Sequence, residues 1–163
     1  MIISFKNDYS EGCHSRVLEA LVRTNMVQQD GYGIDVYSQR AAELIQEKAK
    51  APTSKVHFVS GGTQANMLVI AACLKPHESV IAATTGHIYT NETGAIEATG
   101  HKINAIEASS GKLTPAHIQQ VLGGHINKPH VLKQRMVYIS NATEMGTIYS
   151  KQELTDLYNF CKE

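Results

Sequence analysis

Residues 57–70 read HFVSGGTQANMLVI. A β-favouring lead, Phe58-Val59, meets Ser60, Gly61, Gly62 and Thr63, and an unusually apolar stretch follows at once. The pattern predicts a strand over Lys55–Val59, a tight turn, and a buried helix over Thr63–Leu74 that Pro76 closes. The first N–H groups of a helix lack intrahelical partners, and the helix dipole favours an anion there. Two readings of the turn stand side by side. It is a plain strand-to-helix connection, or it is a phosphate site in which glycines admit the anion and Thr63 adds a hydroxyl. Neither G-x-x-x-x-G-K-[ST] nor G-x-G-x-x-G is present in this stretch.

Outward from this stretch the chain alternates. Helical spacing of Val17, Leu18, Leu21 and Val22 predicts a helix over His14–Asn25, and Asp35–Lys50 reads as a second. After the central helix come a strand over Ser79–Thr84, a short helix over Asn91–Thr99 that stops at Gly100, and a strand over Lys102–Ala108. Thr114 and Pro115 open a helix that ends at Gly123-Gly124. RMVYIS, Arg135–Ser140, is a strand, and Ser150 with Glu153 forms an S-x-x-E capping box for a last helix. This rhythm predicts an α/β fold with a mainly parallel sheet flanked by helices.

Composition narrows the function. Apolar residues make up 42% of the 163 residues, and the formal net charge is zero with no basic run. That argues against nucleic acid as a partner. The longest apolar run, Met67–Leu74, is too short to span a bilayer, so no membrane partner is expected. The N-terminus shows no signal pattern. Cys13, Cys73 and Cys161 are odd in number and far apart, which gives no disulfide framework and no metal knuckle, and a cytoplasmic location is the default.

Ligands of parallel sheets bind where strands run out at their carboxyl ends. Three loops fall there: Ser60–Thr63, Thr84–Glu92 and Asn141–Gly146. The second, TTGHIYTNETGA, holds His87 and Glu92, which are five apart and so do not share a helical face. No histidine pair has the i, i+4 spacing of a zinc site, so no metal is expected. The third, SNATEMGTIY, brings Asn141, Thr143 and Glu144 to the same end.

Taken in order, KNDYSEG, DGYGIDVYSQRAAELI, SGGTQANMLVI, GHIYTNETGA and NATEMGTIYSKQEL resemble the threonine aldolase and β-eliminating lyase family of pyridoxal-phosphate enzymes. The resemblance covers nearly the whole chain. It implies a three-layer α/β fold like the N-terminal part of the large domain of pyridoxal-phosphate-dependent transferases, with residues 1–50 packing at a subunit interface of a homo-oligomer. It implies pyridoxal 5'-phosphate as cofactor, with its phosphate held by Gly62 and Thr63, its ring stacked on by His87, and Asn141 alongside. It places Glu92 and Glu144 with His87 among the catalytic residues. Asn7 stands where many aldolases carry a Ser that touches the substrate carboxylate, and Glu144 where some members carry a His. Family members are about twice as long, and their later half brings the Asp that pairs with the pyridine nitrogen and the Lys that attaches to the cofactor. The chain therefore reads as an N-terminal half.

The implied reaction is cleavage of an L-threonine-type β-hydroxy amino acid to glycine and an aldehyde. Three other readings stay open: a β-eliminating lyase acting on another amino acid, a non-catalytic half-domain that acts only in an assembly, and an unrelated α/β protein that binds a phosphate ligand.

Overall fold

The computed structural model describes residues 11–124 and 130–163. It divides into two compact units, residues 1–58 and 59–163. In the first, α1 spans Ser15–Thr24 and α2 spans Val36–Ala49. Asp35 caps α2, its carboxylate accepting from Ser38 N at 2.8 Å and from Ser38 Oγ at 2.6 Å. These bonds hold the Asp35 carboxyl below its ordinary range. Along α1, Val17, Leu18, Leu21 and Val22 share one side as their spacing predicts, yet each is more than half exposed.

The second unit is layered. Helix α3, Gly62–Cys73, leads into β1, Glu78–Ala83. A one-turn helix α4, His87–Thr90, and a single 3-10 turn, Glu97–Thr99, precede β2, Ile103–Ile106. Then follow α5, Pro115–Gly123, β3, Lys133–Val137, and α6, Lys151–Lys162. The strands are parallel in the order β2-β1-β3. Central β1 is buried along its whole length, as a strand covered on both faces must be. Ile81 and Ala83 point to a core shared with Ile106, Leu113, Ile118, Tyr149 and Leu157. Val80 and Ala82 point to the opposite core with Ile70, Leu74, Ile88, Ile96 and Ile103. The alternation along one strand feeds two cores, which makes the unit three-layered. Both expected caps form: Thr114 with His117 opens α5, and Ser150 with Glu153 opens α6. Among the described residues no helix is long and apolar enough to cross a membrane.

The structure corrects four sequence expectations. Residues 55–59 form no strand, because a strand needs a ladder partner and none of the three strands pairs with them; Phe58 and Val59 are 54% and 40% exposed. The strand expected over Arg135–Ser140 lies earlier, at Lys133–Val137, with an irregularity opposite Ser79-Val80 that shifts the register. Tyr138 N still donates to Ile81 O at 2.8 Å, but Ser140 turns its hydroxyl to Glu144 instead. The helix expected over Asn91–Thr99 is broken, because Thr93 and Gly94 take positive φ values of 48° and 78°; Gly100 does cap the final turn, with φ 87°. Helix α3 is only partly buried. Ile70 and Leu74 face the sheet, whereas Leu68 and Val69 are more than half exposed.

Candidate functional site

The connection between α3 and β1 sets the geometry. Leu74–His77 is short, so the C-terminal end of α3 lies at the start of β1 and its N-terminal end at the strand's carboxyl end. The lengths match: twelve helical residues span about 18 Å, and six strand residues about 20 Å. The mouth of α3 therefore opens where β1 gives way to the Thr84–Glu92 loop.

That mouth is uncapped. Gly61 stands at the N-cap in extended backbone, with no side-chain cap bond. The first intrahelical bond comes from Ala65 N, donating to Gly61 O at 3.1 Å. The N–H groups of Gly62, Thr63 and Gln64 precede it, ahead of the helix ladder. A Cβ at Gly61 or Gly62 would meet nothing within 4 Å, so the approach is open. Ser60 contributes no hydroxyl to the mouth, since its N and Oγ both donate to Gln64 Oε1 at 2.8 Å. Thr63 is exposed and its hydroxyl has no hydrogen-bond partner among the described residues.

One turn deeper, the chain makes a link that sequence reasoning missed. Asn66 Nδ2 donates to Glu92 Oε1 at 2.6 Å, and His87 Nδ1 lies 2.9 Å from the same oxygen. Asn66 is three residues from Thr63 and four from Gly62, so all three share a face of α3. The signal was present in GGTQAN: helical spacing alone puts its Asn beneath the glycine mouth. His87 and Glu92, too far apart in sequence for one helical face, meet because α4 lasts a single turn and Glu92 then folds inward. The Glu92 side chain is fully buried, while that of His87 is 46% exposed. Glu92 Oε2 and Thr85 Oγ1 are buried without hydrogen-bond partners among the described residues.

The third loop holds itself. Asn141 Oδ1 accepts from Tyr149 N at 3.2 Å, and Glu144 Oε1 accepts from Ser140 Oγ at 2.6 Å. Both residues are exposed. Tyr149 is buried, which pushes its phenol up, and its OH accepts from Leu113 N at 2.6 Å. Asn141 and Glu144 thus lie beyond the end of β3, each with one side-chain oxygen engaged inside its own loop. Asn7 lies outside the described residues. Among the described lysines all but Lys112 are exposed, and Lys112 is held by Glu153 Oε1 at 2.6 Å. No group of three or more metal-ligating side chains occurs among the described residues.

The arrangement is an anion-ready helix mouth beside a reachable imidazole backed by a buried carboxylate. Comparison with known proteins gives the family. The low specificity L-threonine aldolase of Pseudomonas aeruginosa is 33% identical over 161 residues, which are 98% of this chain and 46% of that protein. The low specificity L-threonine aldolase of a Pseudomonas species is 34% identical over the same extent. A solved structure of Leishmania major threonine aldolase superposes with a TM-score of 0.92 at 48% identity, covering 96% of this chain and 45% of that one. The chain thus spans under half the length of each of these relatives. The family model for β-eliminating lyases matches residues 8–163, and the chain belongs to that family.

Proposed function

We propose that the complete protein is a pyridoxal-phosphate-dependent carbon–carbon lyase that cleaves L-threonine-type β-hydroxy amino acids to glycine and an aldehyde. One observation carries the reading. The uncapped mouth at Gly62-Thr63 and the half-exposed His87 ring are joined through Asn66 and Glu92, so a phosphate donor set and an aromatic proton carrier stand at one end of the sheet.

The residues fit the cofactor's anionic end. Three N–H groups, the Thr63 hydroxyl and the helix dipole suit a phosphate dianion, and the open space at Gly61 and Gly62 lets it approach. When bound, the cofactor supplies the electron sink for the bond that breaks at the substrate Cα. The chain's own residues do the rest. Gly62 and Thr63 hold the phosphate, and His87 lies against the ring and exchanges a proton near the reacting carbon. Glu92 backs His87. Asn141, Glu144 and Asn7 serve the cofactor, the substrate hydroxyl and the substrate carboxylate in turn. The exposed apolar side of α1 is the surface that residues 1–50 offer to a second subunit of a homo-oligomer. The unpaired Cys13, Cys73 and Cys161 support a cytoplasmic setting.

The test is an assay of the complete protein with pyridoxal 5'-phosphate and L-threonine, measuring glycine and acetaldehyde. Stoichiometric formation of both is the expected result. Release of a keto acid and ammonia from serine, with no glycine from threonine, would replace the reading with β-elimination.

A further inference from the structure

We propose that Glu92 and Asn66 are positioning residues that fix the tautomer of His87, committing Nδ1–H to Glu92 and leaving Nε2 as the nitrogen able to accept a proton. The proposal's catalytic meaning rests on the lyase reading above; its geometry does not. An ionised Glu92 has no hydrogen to give, so across the 2.9 Å between His87 Nδ1 and Glu92 Oε1 the imidazole N–H donates. In neutral imidazole the other nitrogen is then an acceptor, able to take a proton. A free histidine in water prefers the opposite tautomer, with the hydrogen on Nε2, so the bond changes which nitrogen does chemistry.

Three features show that Glu92 is held for this purpose. Its side chain is fully buried, so the charge-assisted bond forms away from competing water. Asn66 donates to the same Oε1 at 2.6 Å, which ties the carboxylate to α3 one turn below the phosphate mouth. The chain also takes two positive φ values directly after Glu92, at Thr93 and Gly94, to reverse past the inward carboxylate. For Thr93 that conformation is unfavourable, and such a cost persists where the surroundings enforce it. Asn66 thereby couples the position of the phosphate helix to the orientation of the imidazole.

The experiment reads the tautomer directly. The full chain, free of cofactor and labelled with 15N-histidine, is measured by long-range 1H–15N correlation at about pH 8.5, above the ordinary imidazole range; the His87 signals are those lost in His87→Gln. The Nδ1–H form should exceed the Nε2–H form by about tenfold, as one charge-assisted bond provides. Glu92→Met, which keeps length and removes the acceptor, should return His87 to an Nε2–H majority. Asn66→Ala should cut the bias several-fold. Where Glu92→Met fails to fold, Glu92→Gln keeps the shape, loses the charge and should also cut the bias several-fold. A wild-type Nε2–H majority, or an unchanged ratio in a folded Glu92 variant, overturns the proposal. Because the ratio is read without cofactor or substrate, it can hold while threonine cleavage is absent, which would count against the lyase reading alone. In the loaded complete enzyme, Glu92→Gln should lower kcat about 10- to 100-fold with little change in KM.

Discussion

Replacing Gly61 by Asp should make the protein more stable and a worse cofactor binder in one step. Gly61 is the N-cap of α3 in extended backbone, the conformation a capping aspartate uses. A Cβ there meets nothing within 4 Å, so the new side chain enters without a clash. Its carboxylate would accept from the N–H groups of Thr63 and Gln64 and face the positive end of the helix dipole. Cap and dipole together give about 0.5–1 kcal/mol, a rise in melting temperature of roughly 1–4 °C for a chain of this size. The same N–H groups are the proposed phosphate donors. Losing two charge-assisted bonds of roughly 1.5–3 kcal/mol each, beside a new negative charge, should weaken pyridoxal-phosphate binding by about 100-fold or more. Thermal melts of cofactor-free protein and absorbance titrations of the complete protein measure the two effects. Gly61→Ala is the control: it lacks a carboxylate, lowers stability slightly and leaves cofactor affinity within a few-fold. A raised melting temperature with unchanged cofactor affinity would refute the phosphate site at this mouth. A lowered one would refute the open N-cap.

Three shorter predictions test the scaffold. Ile81 is 1% exposed on the central strand, so Ile81→Ala should cost about 3 kcal/mol in denaturant unfolding. Gly111 has φ +72°, and an added Cβ would lie 3.1 Å from both Met145 Cγ and Thr143 Oγ1; Gly111→Ala should therefore destabilise by about 1–3 kcal/mol in the same assay. The bond from Lys112 and those from Ser150 lower the Glu153 carboxyl from its ordinary 4.5 to about 2. A depressed carboxylate stabilises the fold above its unfolded value and loses that contribution as pH falls through its folded value. Acid unfolding between about pH 4.5 and 2 should therefore be less steep in Glu153→Gln, an effect that added salt diminishes because the pair is partly exposed.

Local chemistry explains which elements could be read from the chain. The Ser150–Glu153 box, Thr114-Pro115 and the Gly100 stop each satisfy orphaned backbone groups within a few residues, so sequence and structure coincide there. Apolar continuity marked β1, because a strand covered on both faces has no polar side to show. Residues 55–59 show the limit of such signals. Their β-favouring pattern states a preference, but a strand forms only against a ladder partner, and no local signal specifies one. The end of β3 is a similar case. YIS is as β-favouring as RMV, yet Ser140 spends its hydroxyl on Glu144 and the pairing fades after Tyr138.

The candidate site divides along the same line. The helix mouth was legible because glycines, hydroxyls and an apolar run lie consecutively in Ser60–Ile70. The Asn66–Glu92–His87 chain was not, because it joins positions 26 residues apart through a segment whose sequence reads as a helix over Asn91–Thr99. A five-residue gap between His and Glu excludes a shared helical face, but it permits contact once the helix stops after one turn. Here α4 ends at Thr90 with Asn91 as its C-cap, Glu92 turns inward, and Thr93 and Gly94 follow at positive φ. The polar contact and the broken helix are therefore one feature: the chain gives up a regular turn so that a buried carboxylate can reach both α3 and the imidazole. A sequence that allowed α4 to continue would place Glu92 away from His87. Substituting Gly94 with a β-branched residue, which resists positive φ, should accordingly lengthen the His87–Glu92 separation and abolish the Nδ1–H bias while leaving β1 and the core around Ile81, Leu113 and Leu157 intact.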